Sequence, residues 1–102
     1  MKNKVEGYWW SESTPEYPMP EIGVLTPEQA FKIYEKIVSI EQIAKKTTYR
    51  GPSHSRITGE LLGNAEYQFA DWTWPGDFAK HYVLHHRVRP SAEFLKFLGV
   101  EL

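Results

Sequence analysis

The chain has 102 residues, of which 41% are hydrophobic and 25% charged, the size and balance of one globular domain. It has no cysteine, which excludes disulfides and thiol chemistry. Its formal net charge of −1 lacks the net basic field usual in nucleic-acid-binding domains.

The opening "MKNKVEGYWWSESTPEYP" has no long apolar run and is not a secretory signal. Nothing downstream approaches the ~18 consecutive apolar residues of a membrane span. The expectation is a cytoplasmic protein with no membrane partner. Residues 1–25 read as an extended arm, because Pro15, Pro18 and Pro20 forbid regular helix there. Tyr8, Trp9 and Trp10 are costly to leave in water, so the arm should pack on the core of a single domain spanning 1–102.

A helix follows in "TPEQAFKIYEKIVSIEQIAKK". Thr26 can cap it, Pro27 suits the first helical position and Gln29 completes a capping box. Ala30, Ile33, Ile37, Ile40 and Ala44 form the apolar stripe, widened by Phe31, Tyr34 and Val38. Glu28, Lys32, Glu35, Lys36 and Glu41 should face away. The predicted helix runs about 20 residues and ends at Lys45 and Lys46, whose charges suit the dipole.

"TTYRG" then reads as a short strand closed by Gly51-Pro52. Between positions 56 and 74 the pattern turns to β: Tyr67 and Phe69 alternate with Glu66 and Gln68, and Trp72 and Trp74 flank Thr73. Gly63-Asn64 and Ala70-Asp71 are candidate hairpin turns. A helix is predicted from Gly76 to His85, and another in "RPSAEFLKFLG", with Phe94, Leu95 and Leu98 inward and Gly99 as its stop. The fold class is therefore α+β: a long amphipathic helix on a small antiparallel sheet, with short C-terminal helices.

Three of the four histidines fall in "HYVLHH", and upstream "SHSRITG" sets two hydroxyls three apart. Ser55 and Thr58 have the turn spacing of a zinc site, and His81 with His86 (or His85) has the helix spacing. Neutral hydroxyls are very poor zinc ligands, so no metal or other cofactor is expected. The chain also resembles a group of small uncharacterised bacterial proteins with the pattern Y-R-G-x-S-x-C-R-x-C-G, L-G-x-x-E-Y, W-x-W-P and H-Y-V-x-x-H-x-V-R-P. Here the corresponding segments read "YRGPSHSRITG", "LGNAEY", "WTWP" and "HYVLHHRVRP". The resemblance implies a zinc knuckle plus helix whose cysteine positions are Ser55 and Thr58. It makes Ser55, Thr58, His81 and His86 a vestigial site and the C-terminal half a degenerate zinc-finger-like hairpin and helix.

For catalysis, Ser53, His54 and Ser55 beside Arg56 suggest a nucleophile and base, and Glu66 with His81 an acid–base pair. No nucleophile-elbow motif accompanies either, so no enzymatic activity and no catalytic residue are expected. Charge is segregated instead: Glu6, Glu12, Glu16, Glu21 and Glu28 run without a base, while Lys45, Lys46, Arg50 and Arg56 run without an acid. The function expected is a non-enzymatic protein-interaction module, most concretely an immunity or antitoxin type that binds another protein, such as a toxin. Glu6, Trp9, Trp10, Glu12, Glu16 and Glu21 are its candidate contacts, since opposite charge steers association. The alternative is a nucleic-acid-binding module derived from a zinc knuckle and using Lys45, Lys46, Arg50, Arg56, Arg87 and Arg89, with nearby rings for stacking.

Overall fold

The computed structural model describes residues 4–10, 12, 14–48 and 54–102. Ser53, Arg50 and the Tyr49-Arg50-Gly51 end of the expected strand, with Pro52, lie outside the described residues. The class is α+β: among the described residues there are one sheet, two α-helices and one π-helix.

Helix α1 spans Pro27–Glu41. Its start follows the sequence signal: Thr26 Oγ1 accepts from the Gln29 N–H at 3.1 Å, and Gln29 Oε1 accepts from the Thr26 N–H at 2.9 Å. Two of the orphan N–H groups of the first turn are thereby satisfied. Ala30, Ile33 and Ile37 are buried, while Phe31 is exposed. The helix is 15 residues long, shorter than predicted. Lys45–Thr48 instead forms strand β2, because its backbone finds ladder partners in the sheet. Glu41 does not face away either: its Oε2 accepts from the Trp74 indole N–H at 2.9 Å.

The sheet has the order β1-β4-β3-β2, with β1 at Lys4–Val5, β3 at Ala65–Phe69 and β4 at Trp72–Pro75. β2, β3 and β4 pair antiparallel, but β1 pairs parallel to β4, so the sheet is mixed rather than antiparallel. Ala70-Asp71 does form the β3–β4 turn, with Ala70 in the left-handed region at φ 56°. Gly63-Asn64 is not a hairpin turn. It leads into β3, and the closure upstream is made by His54 opposite Leu61.

The next segment, Phe78–His85, is a π-helix. Its wider coil carries the His86 N–H back to the His81 carbonyl at 3.2 Å. Helix α2, Ala92–Leu98, is capped by Ser91, whose hydroxyl accepts from the Phe94 N–H at 3.2 Å. It ends at Gly99 with φ 76°.

These elements meet on aromatic rings. Phe94 lies 5.0 Å from Trp72, 5.6 Å from Trp74 and 5.8 Å from Phe78, each edge-on, the arrangement ring quadrupoles prefer. All four rings are buried, at about 1.5–3 kcal/mol apiece. The arm closes this core from outside. Gly7 sits at φ 80°, where a Cβ would fall 2.7 Å from the Phe78 ring. No helix among the described residues is long and apolar enough to cross a membrane.

Candidate functional site

The serine–histidine constellation is assembled by a tight turn and the π-helix. Between His54 and Leu61 the chain doubles back: the Ser55 N–H donates to the Glu60 carbonyl at 2.9 Å, and the Gly59 N–H to the Ser55 carbonyl at 3.0 Å. Inside this knuckle, Ser55 Oγ accepts from the N–H groups of Ile57 and Thr58, both at 3.0 Å. The Thr58 hydroxyl accepts from the Glu60 N–H at 3.2 Å.

The knuckle is fastened to the π-helix at three points. Ser55 Oγ lies 2.7 Å from His81 Nε2. Glu60 Oε1 lies 3.3 Å from His81 Nδ1. The Arg56 N–H donates to the Tyr82 hydroxyl at 3.1 Å. The hydrogen-bond inventory favours one arrangement of the protons. Both accepting directions of Ser55 Oγ are taken by backbone N–H groups, so its own hydrogen goes to Nε2. His81 is then neutral, with its proton on Nδ1 facing Glu60.

The electrostatics agree. Burial above all, and then the neighbouring His86, hold the His81 pKa below its ordinary 6.5, with Glu60 acting in the opposite sense. Burial also pushes the Tyr82 phenol up, against the N–H it receives from Arg56.

Of the four positions with zinc-site spacing, Ser55, His81 and His86 converge, the two imidazole rings lying 4.7 Å apart. The π-helix is what turns His86 toward His81. Direct Ser55–His81 contact leaves no place for an ion between them, since two ligands sharing a tetrahedral zinc sit roughly 3.3 Å apart. Among the described residues, no group of three or more His, Asp or Glu is arranged to hold a metal.

Ser55, His81 and Glu60 also follow the order nucleophile, base, carboxylate. Glu60, not Glu66, is the acid beside His81. The Ser55 oxygen is engaged by two backbone N–H groups and by His81 Nε2, and the residue is 4% exposed. These contacts tie the knuckle to the π-helix.

The arm presents a different surface. Two of its expected contacts are turned inward. Glu6 is buried, and its carboxylate accepts from the Ser91 N–H at 2.8 Å and the Ser91 hydroxyl at 2.7 Å. Burial raises its pKa against those two bonds, and the negative Glu93 raises it further. Glu6 is therefore corrected from a contact residue to a tie between β1 and α2. Trp9 packs on Tyr82 and Phe78 at 5.4 and 6.3 Å, with its indole N–H buried without an acceptor. An orphan donor of this kind costs about 1–3 kcal/mol, which the ring packing must offset.

The remaining expected contacts of the arm face out. Trp10 is 42% exposed, Met19 and Ile22 58% each, and Val24 45%, and between them Glu12, Glu16 and Glu21 are exposed. The arm is nonetheless pinned by its backbone. The Trp10 N–H donates to the Pro18 carbonyl, the Gly23 N–H to that of His86, and the Leu25 N–H to that of Arg87.

Among the described residues, the basic positions do not assemble a stacking platform. Lys45 and Lys46 are exposed on the edge strand β2, with Lys46 over the Tyr67 ring, and Arg56 and Arg89 are exposed. Arg87 is partly buried and donates to the Leu25 carbonyl at 3.3 Å. Trp72 and Trp74 are sealed in the core. Compared with models of known families, with curated proteins and with solved structures, the chain matches none.

Proposed function

We propose that the chain is a non-enzymatic protein-interaction module, of the immunity or antitoxin kind, that grips a protein partner with its N-terminal arm. The observation that carries this reading is the concentration of large exposed apolar side chains, Trp10, Met19, Ile22 and Val24, in one short segment. Exposed glutamates lie between them, and backbone hydrogen bonds hold the segment in place.

Binding through a segment already ordered costs little conformational entropy. Tryptophan and methionine are favoured at interface centres, and a rim of carboxylates steers a basic partner. The Ser55–His81–Glu60 fastening belongs to the scaffold in this reading, as the metal-free counterpart of a zinc knuckle. The vestigial positions Ser55, Thr58, His81 and His86 then serve stability, with no cofactor.

The test is a pull-down from the native host after nuclease treatment, with the wild-type chain beside Trp10→Ser/Ile22→Ser. A protein retained by the wild type and lost by the variant is the expected result. Equal retention by both would sink the arm as the docking surface. Nucleic acid released by digestion, with affinity falling log-linearly with salt, would transfer the function to Lys45, Lys46, Arg50, Arg56 and Arg89.

A further inference from the structure

Between the arm and the start of α2 lies a cleft of about 640 Å³. We infer that this cleft receives a cationic side chain, arginine or lysine, from the partner protein. The inference rests on the docking reading above and adds the chemistry by which the partner is recognised.

Three features of the wall point the same way. Tyr8 and Tyr17 contribute an aromatic pair with ring centroids 6.2 Å apart, and Met19 stands beside them. Aromatic faces attract guanidinium and ammonium groups, the more so as water is excluded. Glu21 and Glu93 line the same cleft, and among the described residues neither has an ion-pair partner. The floor is Glu6, already satisfied by Ser91 and close enough to Glu93 to feel its charge.

The cations present do not cancel this field. Lys4 is matched to Asp71 at 3.9 Å and lies 5.5 Å from the centroid of the Trp72 ring. Arg89 remains as a single positive charge on the wall, against Glu21 and Glu93. An arginine or lysine entering past the tyrosines would bring the missing charge, and its aliphatic stem would lie on Met19. The apolar residues of the arm would meet the partner's surface around it.

The probe for this inference is a small molecule, so it does not depend on finding the partner. ¹⁵N-labelled protein is titrated with N-acetyl-arginine amide, with N-acetyl-glutamate amide as the control and spermidine as the competing free cation. We expect saturable shifts for arginine amide at the amides of Tyr8, Tyr17, Glu21, Ala92 and Glu93, and none for glutamate amide. Glu21→Gln/Glu93→Gln should weaken the arginine affinity about tenfold while amide dispersion stays native. Equal shifts with glutamate amide, or an unchanged affinity in the double variant, would overturn the inference. Spermidine binding more tightly than arginine amide would overturn the choice of a protein side chain.

The outcome separates from that of the docking reading. A partner captured through Trp10 and Ile22 with no arginine binding defeats the cleft alone. Arginine binding without a captured partner defeats the arm.

Discussion

The aromatic core and the knuckle of residues 54–61 hold by different means. Around Phe94, stability comes from the area of rings removed from water, with edge-on contacts to Trp72, Trp74 and Phe78. Such burial is non-directional and insensitive to protons. The knuckle has one buried side chain, Ser55, and hangs on a few hydrogen bonds converging at His81 and Tyr82. Those bonds are directional, and one of them demands a particular protonation state. One fold thus contains a region that yields to cavities and another that yields to a proton.

The largest effect should come from the core. Phe94→Ala removes a ring that touches four others and should cost about 3–5 kcal/mol, a large part of a domain's usual stability. Chemical denaturation gives the number, and a loss under about 1 kcal/mol would mean the rings are loosely packed.

The second variant attacks the knuckle. Ser55→Ala leaves two backbone N–H groups and His81 Nε2 without their partner and should cost about 2–3 kcal/mol. The loss should be local: hydrogen exchange at the Ile57 and Thr58 amides should accelerate far more than exchange in α1. A uniform acceleration would show that knuckle and core unfold as one unit. Ser55→Cys/Thr58→Cys sharpens the same point, since it puts thiolates at both turn positions of the zinc-site spacing. Zinc added to that variant should raise its melting temperature, whereas the wild type should not respond.

A third difference concerns pH. His81 in the unfolded chain takes a proton near its ordinary 6.5, while in the folded state it resists to lower pH. Between those values the unfolded state binds more protons, so the stabilisation is fully present above about 6.5 and is lost as pH falls. Exchange at Ile57 and Thr58 should therefore accelerate between pH 7.5 and 5.5, corrected for intrinsic rates, while α1 amides hold. Equal protection at both values would place the histidine outside the fastening.

The smallest effect is expected at Glu41→Gln, which keeps an oxygen to accept from Trp74. It should change stability by less than about 1 kcal/mol. Because burial raises the Glu41 pKa, the acid is held charged at a cost at neutral pH. Any change measured at pH 7 should thus lean toward stabilisation.

Legibility in the sequence follows the same division. Elements fixed by local chemistry were readable: the Thr26 capping box, the Gly99 stop, the alternation around Trp72 and Trp74 and the Ala70-Asp71 turn. Elements decided by distant partners were not. The C-terminal end of α1 is set by β3 pairing with Lys45–Thr48, and "KK" looks as favourable to a helix end as to a strand. Glu41 and Glu6 looked like solvated acids because their partners, Trp74 and Ser91, lie 33 and 85 residues away. The spacing of Ser55, His81 and His86 was visible, but Glu60 was not, since no motif marks a carboxylate opposite a histidine. The π-helix could not be read either, because its apolar pattern is that of any short buried helix.

The tie from Glu6 to Ser91 also sets an order in time. Residues leave the ribosome from the N-terminus, so Glu6 is exposed long before Ser91 has been made. Until then its carboxylate has nothing to hold, and β1 has only β4 to pair with. The arm is thus made before the segment that holds it and settles only after that segment is in place.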